Sequence, residues 1–180
     1  MPLVTIYFTI TPDAFHNINY ALSHHSKTGG DMLPKIIHTD PDPGSWHSCE
    51  INNIPKYYGI PVKTQIKYCH VPGYLVHDNY NNILFVNEID NKKYNYDWIL
   101  ESISETYFTI KSATTDNKYI TLGDPQNPIS EYPARVNRGY SLENGSYVKV
   151  GTVHDISCPS YYNIKFTGNS DAARFRIKKL

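Results

Sequence analysis

Cysteine is scarce in this chain. Its 180 residues include three, Cys49, Cys69 and Cys158, at wide spacing. An odd and small number at this spacing argues against a disulfide framework. Because disulfides persist in oxidising compartments, their expected absence favours a cytoplasmic location. Residues 1–6 also lack the basic region and longer apolar core of a secretory signal, which favours the same location.

Long apolar runs and excess charge are lacking too. No run approaches the roughly 20 apolar residues that a membrane-spanning helix needs. The 17 basic and 17 acidic residues cancel. Proteins that bind nucleic-acid phosphates or membrane surfaces need a basic excess, so the sequence predicts neither as a partner.

Catalytic and metal-binding patterns are also missing. The chain contains no Gly-x-Ser-x-Gly elbow, no glycine-rich phosphate loop and no His-Glu-x-x-His. His16, His24, His25 and His38 are close in sequence, but no Cys-x-x-Cys or His-x-His pairing accompanies them, and they are interpreted as solvated loop residues. The sequence therefore predicts a protein that is not an enzyme and has no metal and no cofactor.

Helical periodicity is almost absent, and short β-rich runs between turn residues take its place. Twelve prolines interrupt the candidate helices. The predicted strands are residues 4–10, 19–23, 33–38, 46–51, 65–71, 74–77, 83–88, 96–103, 106–112, 118–122, 146–150, 161–166 and 173–179. The chain is predicted to be all-β.

A four-residue phrase occurs twice, as Tyr7-Phe8-Thr9-Ile10 and as Tyr107-Phe108-Thr109-Ile110. Residues 96–110, around the second copy, predict a strand, a tight turn and another strand. A third, eroded copy is placed at Tyr68, within residues 66–70. Each copy is interpreted as the opening strand of a repeated unit.

Two further signals recur with the same order. A tyrosine-bearing second strand follows each opener, at Tyr20, Tyr74 and Tyr119, and an aromatic residue closes each unit, at Trp46, Trp98 and Phe175. The units are predicted as residues 1–51, 52–103 and 104–180, the third enlarged by a long insertion between about residues 123 and 160.

Three four-strand units that cannot bury their own apolar faces predict a single-domain β-trefoil. In that fold six strands close a barrel with pseudo-threefold symmetry and three hairpins cap one end. The closing aromatics are expected in its core. The alternatives are a lipocalin-type barrel of about eight to ten strands, whose early Gly-x-Trp is missing here, and a β-sandwich.

The sixteen tyrosines exceed what a core of this size needs. Those beside proline, glycine or asparagine are predicted on loops, where tyrosine favours protein or sugar binding. They are Tyr57, Tyr58, Tyr80, Tyr132, Tyr140, Tyr161 and Tyr162.

The candidate binding site consists of two loops of the first unit. Residues 11–18 carry Phe15 between polar neighbours, and residues 39–45 carry two prolines that lower the entropic cost of presenting the loop. The predicted binding residues are Pro12, Asp13, Ala14, Phe15, His16, Asn17, Asp40, Pro41, Asp42, Pro43 and Gly44. The first unit is favoured as the binding site because the other copy of the phrase is followed by residues 111–117, which contain no aromatic residue and no histidine.

The Tyr-x-x-Ile opener, the tyrosine second strand, the closer from Trp46 to Ile51 and the final Arg174-Phe175-Arg176-Ile177 resemble the fungal β-trefoil proteins. The pattern is most similar to the mushroom protease inhibitors, namely the mycocypins (clitocypins and macrocypins) and related serine-protease inhibitors. In mycocypins the loops after the first and third strands block papain-like proteases. The resemblance therefore implies a monomer that occludes a cysteine or serine protease.

One departure concerns the target. The first loop of mycocypins carries a Gly-Gly, whereas Gly29-Gly30 follows the second strand here, which leaves residues 124–132 as another possible reactive loop. A glycan is the alternative partner. Ricin-type lectins carry Gln-x-Trp in each unit, and the equivalents here, Gly44-Ser45-Trp46, Tyr96-Asp97-Trp98 and Ala173-Arg174-Phe175, lack the glutamine.

Overall fold

The computed structural model describes residues 7–12, 20–24, 33–38, 48–68, 73–105, 107–126, 140–143, 146–149 and 161–180. The strands in these ranges are β1 (Tyr7–Pro12), β2 (Tyr20–His24), β3 (Pro34–His38), β4 (Cys49–Ile51), β5 (Val62–Thr64), β6 (Ile66–Tyr68), β7 (Gly73–Asp78), β8 (Ile83–Val86), β9 (Tyr94–Asn95), β10 (Trp98–Ser102), β11 (Phe108–Ser112), β12 (Tyr119–Gln126), β13 (Tyr140–Glu143), β14 (Ser146–Lys149), β15 (Tyr161–Thr167) and β16 (Phe175–Lys179). A short 3₁₀ helix, Ser170–Ala172, precedes β16. The predicted all-β class is confirmed. Within these ranges there is no helix whose length and apolarity would let it cross a membrane.

Six antiparallel pairings form a closed ring. Following the ring, β1 pairs with β4, β4 with β6, β5 with β10, β10 with β11, β11 with β16, and β16 with β1. Only Gln65 separates β5 from β6, so these two act as one barrel strand. The side-chain oxygen of Asn52 bridges the interruption, since it accepts hydrogen bonds from the Gln65 amide at 2.8 Å and the Thr64 hydroxyl at 2.7 Å.

Three hairpins cover one end of this six-stranded barrel, which we call the cap end. They are β2–β3, β7–β8 and β12–β15. Strand β6 pairs with β7 and β11 with β12, and β3 pairs with β15 across the cap. A six-stranded barrel with three capping hairpins is a β-trefoil, which confirms the predicted fold. Its core alternates with the strand period of two, as in β10, where Trp98, Leu100 and Ser102 are buried.

The strand register has threefold symmetry. Within the units, Cys49 lies opposite Phe8, Trp98 opposite Thr64 and Phe175 opposite Phe108. Between units, Cys49 lies opposite Tyr68, Trp98 opposite Ser112 and Phe175 opposite Pro12. The three residues Cys49, Trp98 and Phe175 are therefore equivalent. The third copy of the opening phrase is therefore Lys63-Thr64-Gln65-Ile66, and its predicted placement at Tyr68 was wrong. Of the four residues of the phrase, this third copy retains only the isoleucine, because Ile10, Ile66 and Ile110 all lie in the core.

The closing residue of the first unit is also corrected. Trp98 and Phe175 are buried as predicted, but their equivalent is Cys49, and Trp46 lies outside the described residues. The cross-strand partners compensate in volume. The small Cys49 faces Tyr68, whereas the large Trp98 faces Ser112. An aromatic closer is unnecessary where the facing residue fills the space.

The tyrosines of the second strands are not all equivalent. Tyr20 is buried in the core, as Leu75 and Ile120 are in the other two units. Tyr74 and Tyr119 precede those residues by one position and are half-buried on the opposite face. Neighbouring strand residues point to opposite faces, so the inward-facing Tyr20 is not equivalent to Tyr74 and Tyr119, and that predicted alignment was wrong.

The insertion of the third unit begins later than expected. Strand β12 continues to Gln126, which lies opposite Tyr161, with a bulge between Leu122 and Pro125. Residues 123–126 are thus part of the capping hairpin, and the insertion contains a hairpin of its own, β13–β14. Gly123 is required at the bulge, because a Cβ there would lie 2.9 Å from the Asn163 carbonyl oxygen.

Candidate functional site

The predicted binding loops lie almost wholly outside the described residues. Pro12 is described and is buried at the end of β1, whereas Asp13, Ala14, Phe15, His16, Asn17, Asp40, Pro41, Asp42, Pro43 and Gly44 are not described. Strand β1 runs antiparallel to β4, with Phe8 opposite Cys49. The end of β1 that leads into the first loop and the start of β4 that follows the second are therefore on neighbouring strands, at the cap end.

Some of the tyrosines that were predicted on loops lie on loops, and others lie in strands. Tyr57, Tyr58 and Tyr80 lie on loops or turns as predicted, with exposed fractions of 68%, 58% and 86%. Tyr161 and Tyr162 lie in β15 instead, where the Tyr162 ring makes an edge contact with Tyr20 at 5.5 Å. The loop prediction was wrong for both, because strand residues of the cap need aromatic side chains for their own packing. Tyr132 lies outside the described residues, and Tyr140 begins β13.

Of the exposed large apolar side chains in the described parts of the chain, most lie at the end of the barrel opposite the cap. Tyr57, Tyr58 and Ile60 are on the loop between β4 and β5, and Ile103 is on the turn between β10 and β11. We call these four residues the open-end surface. Tyr7, at the start of β1, and Leu180, after β16, lie at the same end, where the Leu180 amide donates to the Tyr7 carbonyl at 2.9 Å.

One backbone hydrogen bond joins the two segments of the open-end surface. The Gly59 amide donates it to the Ser102 carbonyl at 3.1 Å, and Gly59 adopts a φ of 69°, which favours glycine. Desolvation, followed by the negative charge of Glu105 in the turn, raises the pKa of Tyr58 above its ordinary value. The loop therefore has a defined position against the turn.

The second unit contains a buried histidine that the sequence analysis did not single out. His77 is 2% exposed and occupies the place of Leu122 in the hairpin of the third unit. Its Nδ1–H donates to the Asp78 carbonyl at 3.0 Å, and this tautomer leaves Nε2 to accept from the Ser112 hydroxyl at 2.8 Å. The strand period offered a signal, because His77 is two residues after Leu75 and shares its inward face.

The pair formed by Ser112 and His77 has the spacing of a nucleophile and its base, but its surroundings do not suit catalysis. Both side chains are buried, and the imidazole makes edge contacts at 5.4 Å with the rings of Trp98 and Phe166. The Ser112 oxygen also accepts from the amides of Thr114 and Thr115, each at 3.2 Å. These contacts leave no access for a substrate and make the pair part of the core packing.

Next to His77, Asp78 organises the turn of the β7–β8 hairpin. Its carboxylate accepts from the Tyr80 amide at 2.8 Å and from the amide and side chain of Asn82, each at 2.9 Å. Desolvation alone would raise the pKa of Asp78, but these hydrogen bonds and the neighbouring His77 lower it below its ordinary value. Among the residues with described positions, no group of three His, Cys, Asp or Glu could hold a metal ion.

Comparison with known proteins gives the fold. The sequence matches no protein-family model and no curated protein. Solved structures similar to this chain include the following two. The designed threefold-symmetric protein ThreeFoil has a TM-score of 0.56 at 12% identity, over 97% of this chain and 99% of that one. A Caenorhabditis elegans protein of unknown function has a TM-score of 0.54 at 10% identity, over 96% of this chain and 93% of that one. The strand pairing and the likeness to a threefold-symmetric design agree that this chain is a β-trefoil.

Proposed function

We propose that this β-trefoil is a binding protein that inhibits a cysteine or serine protease through the two loops of its first unit, residues 11–18 and 39–45. The pairing of β1 with β4 carries the proposal. It makes β1 and β4 neighbouring strands of the barrel, and since the first loop follows β1 and the second precedes β4, we infer that one partner could contact both loops.

The strands that support these loops are firmly packed. Ile10 and Cys49 are fully buried, and Thr9 and Ser48 are nearly so. A binding segment held on a rigid scaffold loses less conformational entropy when it meets its partner. The similarity of the sequence pattern to the mushroom protease inhibitors supplies the class of partner. The burial of the Ser112–His77 pair favours binding over catalysis.

The test is a titration of papain-like and trypsin-like proteases with the full chain and two variants. We expect one protease class to be inhibited at a near-stoichiometric ratio. Phe15→Ser and deletion of Asp42 and Pro43 should each weaken inhibition at least about tenfold, which corresponds to about 1.4 kcal/mol. Tyr80→Ser, which removes an exposed aromatic ring from the turn of the β7–β8 hairpin, is the control and should inhibit like the wild type.

A combined variant shows whether the two loops act together. If both contact one protease, the double change should deviate from the sum of the two single changes, as neighbouring contacts do. Uninhibited proteases across the panel would contradict the proposal, and so would equal inhibition by wild type and both loop variants. Glycan-array binding with active proteases would instead support the carbohydrate-binding alternative.

A further inference from the structure

We propose that the open-end surface joins two copies of this chain as a homodimer. The proposal goes beyond protease binding, which concerns the opposite end of the barrel, and it departs from the monomer that the sequence pattern implies. Four observations carry it: the apolar character of the surface, its fixed geometry, its area and the charges around it.

The open-end surface is apolar although it is exposed. The exposed fractions of Ile60 and Ile103 are 57% and 41%, beside the two tyrosines already described. Isolated exposed apolar residues are common on protein surfaces, but a contiguous group held together is characteristic of an interaction site. Tyrosine is among the residues enriched at interfaces because its ring buries a large area and its hydroxyl can still find a partner.

The geometry of this surface is fixed before any partner binds. The hydrogen bond from the Gly59 amide to the Ser102 carbonyl attaches the loop to the end of β10. The side chains of the open-end surface therefore have defined positions. A surface ordered in advance loses less entropy on association than a mobile loop would.

The area suits a modest interface. Large apolar side chains have areas of about 150–250 Å², so the exposed fractions of the four residues amount to roughly 400 Å². Tyr7 and Leu180, with exposed fractions of 37% and 51%, extend this to roughly 600 Å² at the same end. One side of a standard interface buries about 800 Å². The apolar residues thus supply most of one side, and the polar rim can supply the rest.

The charges favour a second copy over a strongly charged partner. Lys56 and Lys63 are exposed beside the loop, and Glu105 is exposed in the adjacent turn. Lys63 also faces Asp97 at 3.8 Å. A rim with both signs is compatible with itself under a twofold rotation, in which each residue of one copy meets the partner's complementary residue. The formal net charge of zero adds no repulsion between copies.

Sedimentation equilibrium of the full chain over a concentration series tests the dimer. We expect a monomer–dimer equilibrium with a Kd in the micromolar range, as for small interfaces. Tyr57→Ser combined with Ile60→Ser should raise the Kd at least about thirtyfold. Ile103→Ser, on the other segment, should also raise it. Tyr80→Ser, at the opposite end of the molecule, is the matched control and should leave the Kd unchanged.

Circular dichroism and thermal unfolding of each variant establish that the trefoil is intact, which is expected because the substituted side chains are exposed. A wild-type chain that remains monomeric up to about 1 mM would overturn the proposal, since such a Kd corresponds to only about 4 kcal/mol of association free energy. A control that weakens the dimer as much as the open-end variants would also overturn it, because the interface would then lie elsewhere.

Discussion

At the scale of single residues, His77 is where the threefold pattern is broken by a polar group. The equivalent position in the hairpin of the third unit is Leu122, which is partly buried against the core. The imidazole fills that place and satisfies both ring nitrogens, through the Asp78 carbonyl and the Ser112 hydroxyl. Its burial therefore costs less than that of an unpaired polar side chain.

The symmetry provides the substitution that tests this role. We expect His77→Leu to change the free energy of unfolding by less than about 1.5 kcal/mol, because leucine is similar in volume and is native at the equivalent position of the third unit. The former partners keep other hydrogen bonds, since the Asp78 carbonyl also accepts from the Asn81 amide and Ser112 from Thr114 and Thr115. His77→Ala should cost about 2–4 kcal/mol through the cavity between Trp98 and Phe166.

Urea unfolding at neutral pH measures both variants. If leucine proved as costly as alanine, the hydrogen bonds of the imidazole, and not its volume, would hold this part of the core. Ser112→Ala separates the two contributions further. It removes the Nε2 partner and should cost about 1–3 kcal/mol in the wild type but less in His77→Leu, where that contact is already gone.

At the scale of elements, the β7–β8 hairpin depends on an acidic side chain in its turn. The Asp78 carboxylate accepts three hydrogen bonds there, and they stabilise the charged form. A carboxyl group whose folded-state pKa is lowered contributes stability above its unfolded-state pKa of about 3.9. That contribution disappears as the pH falls through the lower folded-state pKa.

We therefore expect Asp78→Asn to destabilise the fold by about 1 kcal/mol at neutral pH and by progressively less as the pH falls below about 4. Unfolding free energies of wild type and variant, measured by urea titration from neutral to acid pH, give this difference. Asn82→Ala, which removes one of the three donors, should shrink it. A difference that stayed constant through the acid range would show that the carboxylate charge does not stabilise the turn.

Strand existence and fold class followed from sequence because they rest on local chemistry. Alternating apolar residues and turn residues were enough to predict most barrel and hairpin strands, and the repeated phrase was enough to predict threefold symmetry. Register did not follow, because it depends on cross-strand contacts. Nothing local showed that Cys49 replaces an aromatic closer, since the compensation comes from Tyr68, across the pairing of β4 with β6.

The candidate site was predictable to a different degree. Exposure of Tyr57 and Tyr58 followed from their proline and glycine neighbours, but their grouping with Ile103 did not, because a long stretch of chain separates the two segments. Only closure of the barrel brings the β4–β5 loop next to the β10–β11 turn. The buried pairing of His77 with Ser112 likewise depends on two strands that the sequence does not show to be neighbours.

At the scale of the whole molecule, the barrel separates two surfaces. The strand ends beside the predicted protease-binding loops are at the cap end, and the open-end surface is at the other. If both proposals hold, each copy in a dimer joined through its open end keeps the cap-end strand ends beside these loops away from the dimer interface. Protease binding and dimerisation should then be independent events, because binding sites that share no residues and no mobile element are weakly coupled.

This independence gives a prediction about stoichiometry. A saturating amount of the inhibited protease should produce a complex of two chains with two proteases, measured by sedimentation or light scattering. Tyr57→Ser combined with Ile60→Ser should give a one-to-one complex with an unchanged inhibition constant, whereas Phe15→Ser should weaken inhibition and leave the dimer Kd unchanged. If added protease dissociates the dimer, the two partners compete for one surface, and the assignment of protease binding to the cap end is wrong.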